Sequence, residues 1–149
     1  MKFMSISKKQ KVPDVDTAMK HFFHASHSMK KTARKGVLLL VEDDPESISI
    51  IAGMVDGKAK VISVESLRMA REKVKDVGID NIVCAVIDYY LPDGTGLDVA
   101  DMLEKECPGL PMFLISSDEK IVKKVNGDRP YLTPVLKWDL DALGVALSL

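Results

Sequence analysis

The stretch that decides the fold of this chain reads Ala85-Val86-Ile87-Asp88-Tyr89-Tyr90-Leu91-Pro92-Asp93-Gly94-Thr95-Gly96. An apolar run ends abruptly at the carboxylate of Asp88, and a turn rich in proline, aspartate and glycine follows it. A continuous apolar run is typical of a strand that is covered on both faces, in the middle of a parallel sheet. Asp88 would then lie at the carboxyl end of that strand, where open α/β sheets place their ligand sites. We therefore expect further functional residues at the ends of the neighbouring strands.

The composition of the 149 residues is that of a globular domain with a hydrophobic core, since 46% are hydrophobic and 29% are charged. No apolar run approaches the roughly 20 residues that span a bilayer, and the N-terminus has no apolar signal-peptide segment. Cys84 and Cys107 lack the spacing of a metal site, which fits a reducing compartment. These features predict a cytoplasmic protein without a membrane partner.

The small net charge of −1 conceals a strong asymmetry along the chain. Residues 1–35 contain nine lysines and arginines against Asp14 and Asp16, which gives a net charge of +7. Residues 36–149 contain the remaining 12 basic and 20 acidic residues, which gives −8. We therefore divide the chain into a basic N-terminal extension, 1–35, and an acidic domain, 36–149.

Residues 14–34 of the extension have the apolar spacing of a helix, with Ala18, Phe22, Ala25 and Met29 at steps of three or four. The extension is therefore predicted to be partly helical. Such a helix could pack on the domain or on a second copy of the chain, and a homodimer formed through it is one expectation. A nucleic-acid or membrane-surface arm and a segment without fixed structure are the alternatives.

From Gly36 onward, strands and helices alternate along the chain. The predicted strands are 36–41, 60–64, 81–88, 112–115 and 131–136. The predicted helices are 45–55, 67–77, 96–106, 119–125 and a last one that follows Asp139 and carries Leu140, Leu143, Ala146 and Leu147. Capping residues, glycines or prolines mark most of the helix ends. Five strands alternating with five helices predict a parallel sheet with helices on both faces.

Four of the five predicted strands end on polar residues, which are Glu42-Asp43, Asp88, Ser116 and Lys137. In a parallel sheet these ends gather at one edge, so three carboxylates would share a pocket with one ammonium and one hydroxyl. Carboxylates this close repel one another unless a cation is bound, and oxygen ligands of this kind suit Mg²⁺. A carboxylate beside Mg²⁺ can also attack a phosphoryl group, whose transition-state charge the metal and Lys137 would neutralise. Ser116 could donate a hydrogen bond to a phosphoryl oxygen.

The ordered set of these motifs resembles the response-regulator receiver domain of two-component signalling. The matching motifs are Val41-Glu42-Asp43-Asp44, Asp88-x-x-Leu91-Pro92-Asp93-x-x-Gly96, Ser116-Ser117 and Lys137. The resemblance covers about 37–149. It implies an α/β fold of the flavodoxin-like (βα)5 type, a doubly wound parallel sheet with strand order 2-1-3-4-5. The N-terminal helix would precede this sheet.

The resemblance also implies roles for individual residues. Asp88 would be the phosphoacceptor, and Ser116 and Lys137 would be the switch hydroxyl and the cation that pairs with the phosphoryl group. The cofactor would be Mg²⁺. Its ligands would be Asp43 and Asp88 directly, Glu42 mainly through water, and the backbone carbonyl of Tyr90.

Three positions depart from the family pattern. Trp138 stands where the family usually has proline, so the loop after Lys137 is expected to differ. Pro134 stands where many members carry an aromatic switch residue, so the usual aromatic coupling is expected to be absent. Tyr90 is bulky at a position that shapes water access, which predicts slow self-dephosphorylation.

The sequence therefore predicts a signalling domain that takes a phosphoryl group from a phosphohistidine donor, and not an enzyme that turns over other substrates. Its partners would be a histidine kinase or phosphotransfer protein and a downstream protein bound at the face of the fourth helix, fifth strand and fifth helix, which is also a second candidate for a homodimer interface. No DNA-binding domain is expected. The alternative is a degenerate receiver that binds partners without phosphorylation. A phosphatase-type hydrolase is disfavoured because Tyr90 stands where its second carboxylate would be.

Overall fold

The computed structural model describes residues 36–139, except for the side chains of Asn126 and Trp138. In chain order the elements are β1 (Val37–Val41), α1 (Pro45–Met54), β2 (Lys60–Val64), α2 (Leu67–Val77), a 3-10 turn (Ile79–Asn81), β3 (Ile82–Asp88), β4 (Tyr90–Leu91), β5 (Gly94–Thr95), α3 (Gly96–Glu106), β6 (Met112–Ser116), α4 (Glu119–Asp128), β7 (Leu132–Leu136) and a 3-10 turn (Lys137–Asp139). The predicted N-terminal helix and the predicted helix after Asp139 lie outside the described residues.

The main sheet of this region has five parallel strands in the order β2-β1-β3-β6-β7. Counting only the strands of this sheet, the order is 2-1-3-4-5, so the predicted flavodoxin-like, doubly wound fold is confirmed. Strand β3 lies at the centre, between β1 and β6. The central position explains why its sequence is a continuous apolar run, because a strand covered on both faces has no solvent side.

Helices cover both faces of the sheet, and the strands divide their side chains between two core clusters. Leu38 and Leu40 of β1 pack in the cluster that contains Ile51 of α1. Leu39 and Val41 pack in the other cluster, which receives side chains from α2, α3 and α4. All five residues of β1 are buried. The strand ends are therefore held rigidly, which fixes the polar residues that follow them.

The helix starts follow the capping chemistry of the sequence. The Asp44 carboxylate caps α1, accepting from the Ser47 backbone N–H over 3.1 Å and from the Ser47 hydroxyl over 2.7 Å. Ser66 caps α2 by accepting from the Met69 N–H over 3.1 Å. Gly78 ends α2 with φ at 87°, a value that suits glycine. Helix α3 spans the predicted 96–106 without change.

Beyond shifts of one residue at several element ends, the structure differs from the sequence prediction at two places along the described chain. Helix α4 continues through Asn126-Gly127 to Asp128, although these residues were expected to end it at 125. Gly127 has no positive φ, and glycine in a helix costs only about 1 kcal/mol, which the buried Val125 of the same turn can offset. The sequence also gave no sign of β4 and β5, which pair as a short antiparallel hairpin.

An ion pair connects α3 to the loop between α4 and β7. The guanidinium of Arg129 donates to both carboxylate oxygens of Asp101, over 2.8 and 2.9 Å, and the Tyr131 hydroxyl donates to the same carboxylate.

In the described part of the chain, no helix is both long enough and apolar enough to cross a bilayer.

Candidate functional site

The carboxyl ends of four parallel strands meet at one edge of the sheet and carry the polar residues that the sequence singled out. Glu42 follows β1 directly, and its backbone N–H donates to the Val64 carbonyl at the end of β2 over 2.9 Å. Asp88 is the last residue of β3, Ser116 is the last residue of β6, and Lys137 follows β7. Parallel register therefore brings residues up to 95 positions apart into one site.

Three carboxylates form the centre of this site. Glu42, Asp43 and Asp88 each offer an oxygen, and these oxygens all lie within 4.8 Å of one another. Glu42 is fully buried and Asp88 is 5% exposed, whereas Asp43 is exposed and opens the cluster to solvent. A set of hard oxygen donors, two of them on buried carboxylates and one on a solvent-facing carboxylate, fits a hydrated Mg²⁺ ion.

Lys137 supplies the positive charge next to these carboxylates. Its Nζ atom lies 3.1 Å from Glu42 Oε2 and 3.4 Å from Asp88 Oδ2. Burial alone would lower the pKa of Lys137, but the hydrogen bond with Glu42 and the charge of Asp88 raise it above the usual value. The side chain therefore stays cationic at neutral pH and bridges β7 to the two strands at the centre of the sheet.

The buried carboxylates have raised pKa values. Burial raises the pKa of Glu42 from 4.5 to about 7, and the charge of Asp88 adds to this shift, although the Asp44 N–H, which donates to Glu42 Oε1 over 3.1 Å, opposes it. Burial likewise raises the pKa of Asp88, against the lowering effect of Lys137. One ammonium therefore does not compensate the negative charge of the site, and a divalent cation would be accepted there.

Ser116, and not its neighbour Ser117, belongs to this edge of the sheet. Ser116 is 1% exposed and ends β6, while Ser117 is exposed to solvent. The Ser116 Oγ atom accepts the backbone N–H of Asp118 over 3.1 Å. This bond uses a lone pair of the hydroxyl, so its hydrogen remains able to donate to another oxygen.

Tyr90 begins the hairpin beside the site. Its side chain is 55% exposed and its ring meets that of Tyr89 edge-on, with centroids 4.8 Å apart. The Tyr90 backbone N–H lies close enough to the Asp88 carboxylate to lower the pKa of that group. The Tyr90 backbone is thus part of the surroundings of Asp88.

Asp93 of the same hairpin and Gly96, which directly follows it, have structural roles that sequence reasoning missed. The carboxylate of Asp93, expected to be only a turn residue, accepts the backbone N–H groups of Leu67 and Arg68 at the start of α2. Gly96 has no space for a side chain, since an added Cβ would collide with the carbonyl oxygen of Asp88. The Pro-Asp-Gly pattern located the turn, but nothing in the sequence signals a partner 25 or 26 positions away.

Residues 38–128 match the family model described as the response regulator receiver domain. The chain belongs to this family. Receiver domains are signalling modules of two-component systems and not metabolic enzymes. The family assignment agrees with the sheet order and with the motifs at the strand ends.

The individual proteins that match this chain share a third or less of their aligned residues with it. A protein of Arabidopsis thaliana named as a two-component response regulator, ARR21, is 32% identical over 82 residues, which cover 54% of this chain and 13% of the relative. The chain therefore spans only a small part of that relative's length. A sensor protein from Polaromonas sp. JS666 superposes with a TM-score of 0.62 at 21% identity, covering 76% of this chain and 94% of that one. The N-terminal signal receiver domain of a Bacteroides fragilis response regulator gives a TM-score of 0.58 at 17% identity, covering 76% and 97%. These two structures are similar in fold.

Proposed function

We propose that residues 36–149 form a receiver domain that accepts a phosphoryl group on Asp88 in the presence of Mg²⁺. The observation that carries this proposal is the convergence of three carboxylates and one ammonium at one edge of the sheet. A helix cap or a turn would explain one of these carboxylates, but not all of them together with Lys137. Residues 1–35 would be a basic extension of this domain.

The carboxylates of the site would hold the metal ion and accept the phosphoryl group. Asp43, Asp88 and the Tyr90 backbone carbonyl would hold Mg²⁺ directly, and Glu42 would hold it mainly through water. The bound ion would neutralise charge on the phosphoryl oxygens during transfer. An oxygen of the Asp88 carboxylate attacks the phosphorus, the bond between phosphorus and the donor imidazole nitrogen breaks, and the imidazole departs with that electron pair.

Lys137 and Ser116 would hold the phosphoryl group once it is on Asp88. The ammonium of Lys137, 3.4 Å from Asp88 Oδ2, needs only a small movement to pair with a phosphoryl oxygen. The Ser116 hydroxyl, whose hydrogen is available, would donate to another oxygen. Because a phosphoryl group adds about −1.5 to −2 of charge, both residues would be drawn toward it. The ends of β6 and β7 would then shift, together with α4.

This shift would change the binding of a downstream protein at the face of α4 and β7, the described part of the face that the sequence predicts as a partner site. The phosphoryl donor would be a histidine kinase or a phosphotransfer protein, as is expected for the family. The downstream partner and any homodimer at this face belong to the same proposal.

The experiment is Mg²⁺-dependent phosphorylation with acetyl phosphate, followed by the intact mass of the protein. We expect the wild type to gain one phosphoryl group with Mg²⁺ and none with a chelator. Asp88→Asn should gain none. Asp80→Asn is the matched control, because Asp80 is an exposed carboxylate in the turn before β3, at the opposite end of that strand.

Different results of this experiment would contradict different parts of the proposal. Labelling of Asp88→Asn at the wild-type rate would contradict the assignment of the phosphoacceptor. Labelling that is equal with Mg²⁺ and with chelator would contradict the metal site. If the wild type gains no phosphoryl group from acetyl phosphate or from a phosphohistidine donor, the phosphoacceptor function is wrong.

One observation favours a second function, that of a receiver that binds partners without being phosphorylated. Pro134, at the position of the family's aromatic switch, is buried in β7 opposite Leu114, so no aromatic ring rotates there. An edge strand tolerates proline because the missing N–H costs no ladder bond on its free side. Partner binding that is identical for wild type, Asp88→Asn and the phosphorylated protein would support this alternative.

A further inference from the structure

The hairpin next to Asp88 is fixed at its base by the packing of Gly96. The backbone N–H of Gly96 donates to the Tyr89 carbonyl over 2.7 Å, and the Tyr89 N–H donates to the Ile115 carbonyl over 2.9 Å. Between these anchors, β4 and β5 are only two residues each, with Tyr90 opposite Thr95 and Leu91 opposite Gly94. A hairpin this short is marginally stable on its own, so the position of its outer part needs another support.

Asp93, at the tip of this hairpin, provides that support by reaching the first turn of α2. Its Oδ1 accepts the Leu67 N–H over 2.8 Å and its Oδ2 accepts the Arg68 N–H over 2.9 Å. These are the first two N–H groups of α2, which have no partner within the helix. Ser66 caps the same helix separately at Met69. The tip of the hairpin is thus attached to α2 by both carboxylate oxygens.

The contact is specific in charge and in shape. A carboxylate is stabilised at a helix N-terminus by the helix dipole, and the two backbone hydrogen bonds lower the pKa of Asp93. Gly94, the next residue, allows the close approach, since a Cβ there would lie 3.2 Å from a methyl group of Leu67. The Tyr90 side chain is 55% exposed, so burial of its ring does little to fix this part of the hairpin.

We infer that Asp93 is a positioning residue for the metal site, because it holds the Tyr90 backbone in the orientation that Mg²⁺ binding needs. This inference rests on the proposed function, in which the Tyr90 carbonyl completes the coordination of Mg²⁺. Asp93 itself does not touch the metal or the phosphoryl group. It acts by removing the freedom of the segment between Asp88 and Gly96, so that the ligand carbonyl is oriented before the ion arrives. The start of α2 and the metal site are thereby mechanically connected.

The test measures Mg²⁺ affinity by titration calorimetry on the full chain, for wild type and three variants. Asp93→Ala removes both acceptors, and Asp93→Asn keeps one. Ser66→Ala is the matched control, since it removes the other cap of α2 without touching the hairpin. We expect Asp93→Ala to weaken Mg²⁺ binding by about 10-fold, at the lower end of the usual cost of losing an outer support of a metal ligand. Asp93→Asn should weaken Mg²⁺ binding less than Asp93→Ala does. Ser66→Ala should change the Mg²⁺ affinity by less than about 2-fold, because Ser66 does not support a metal ligand.

The outcomes distinguish this inference from the function on which it rests. If wild type binds no Mg²⁺, the proposed metal site is wrong. If wild type binds Mg²⁺ and Asp93→Ala binds it equally well, the positioning role is wrong. Equal weakening in Asp93→Ala and Ser66→Ala would also overturn the inference, because the effect would then come from general loosening of α2. Thermal unfolding of each variant confirms that the titrations are made on folded protein.

Discussion

The burial of Glu42 has a large effect on the electrostatics of the site. Its side chain is fully buried, its Oε1 atom accepts from the Asp44 N–H, and its Oε2 atom faces the ammonium of Lys137. A carboxylate in this position is costly to ionise because it has lost its water, and a second buried carboxylate lies beside it. The raised pKa of Glu42 is the measurable consequence.

The stability of the metal-free protein should therefore depend on pH with a definite sign. The pKa of Glu42 is about 7 in the folded chain against 4.5 for the free group, so the folded state keeps a proton that the unfolded state releases. The free energy of unfolding should then fall as pH rises from about 4.5 to about 7. The raised pKa of Asp88 acts in the same direction. Denaturant unfolding in the presence of a chelator, at a series of pH values, measures this slope.

Two comparisons test whether this pH dependence of the free energy of unfolding comes from the carboxylates of the site. Glu42→Gln should flatten it, and saturating Mg²⁺ should reduce it by stabilising the ionised carboxylates. Asp44, Asp93 and Asp101 have lowered pKa values, so their contributions are present above about pH 4 and are lost below it, outside this window. A wild-type slope that Glu42→Gln leaves unchanged would show that another group is responsible.

Tyr90 is the residue expected to control the lifetime of the phosphorylated state. Its side chain is largely exposed, and its backbone N–H lies close to the Asp88 carboxylate. Tyr90→Ala should remove an obstacle to the attacking water and shorten the half-life of the phosphoryl group severalfold, measured after removal of the donor. Tyr89→Phe serves as the comparison. A half-life that is the same in Tyr90→Ala and wild type would contradict this role.

The sequence identified the residues whose signal is local and missed those whose partners are remote. Asp44 and Ser66 were recognisable as helix caps, because a cap and its helix are adjacent in the chain. The proximity of Asp88, Glu42-Asp43 and Lys137 was predictable because each ends or directly follows a strand of a parallel sheet. The contacts of Asp93 with α2 and of Arg129 with Asp101 had no signal, since they depend on how separate elements pack in three dimensions.

Among the elements near the site, the junction between β3 and α3 is tightly packed. Gly96 begins α3, and its Cα lies so close to β3 that an added Cβ would collide with the Asp88 carbonyl and lie 2.9 Å from side chains of Ile87 and Leu114. Backbone on one side and core on the other leave no direction in which a methyl group could move. The start of α3 and the end of β3 are therefore fixed relative to one another.

Gly96→Ala should lower the free energy of unfolding by about 3 kcal/mol, the upper part of the usual range for overpacking, because the obstacle is backbone. The same change should reduce phosphorylation of the folded fraction, because Asp88 must shift. Gly53→Ala is the control, since nothing lies within 4 Å of an added Cβ in α1. It should stabilise the chain by about 0.5–1 kcal/mol. Equal stability changes in the two variants, measured by denaturant unfolding, would contradict the packing argument.

Element boundaries were most predictable where a cap and a glycine with positive φ mark them, as at helix α2, which has the predicted bounds between Ser66 and Gly78. Strand β2 and helix α3 have the predicted bounds. Helix α4 runs past Asn126-Gly127 because glycine only weakens a helix and does not stop it. The strands β4 and β5 were missed because two residues are too few to show any periodicity.

At the scale of the whole molecule, the sheet order followed from general rules and not from any one residue. Alternating strands and helices demand parallel pairing with right-handed crossovers, and the resemblance supplied the order that the structure confirms. The charge asymmetry of the chain is the feature that these rules do not explain. Nine basic residues precede a region with 20 acidic and 12 basic residues.

We expect the basic extension to associate with the acidic domain, within one chain or between two. Removal of residues 1–35 should then lower the thermal stability of the domain, if the extension binds within one chain. If it binds between two chains, removal should lower the number of chains per particle, measured by light scattering. Because the attraction is electrostatic, raising the salt concentration should diminish the difference. If the shortened chain has the same stability and the same solution mass as the full chain, at low salt as well as at high salt, the association does not exist.

Chemical mapping of the modified residue tests whether Asp88 is the group that carries the phosphoryl. The wild-type protein is phosphorylated with acetyl phosphate and Mg²⁺, and borohydride then reduces the acyl phosphate to homoserine, whose position peptide mass spectrometry determines. We predict homoserine at position 88 and at no other aspartate. Homoserine at Asp43 or at any other position, with Asp88 unmodified in a labelled protein, would show that Asp88 is not the phosphoacceptor.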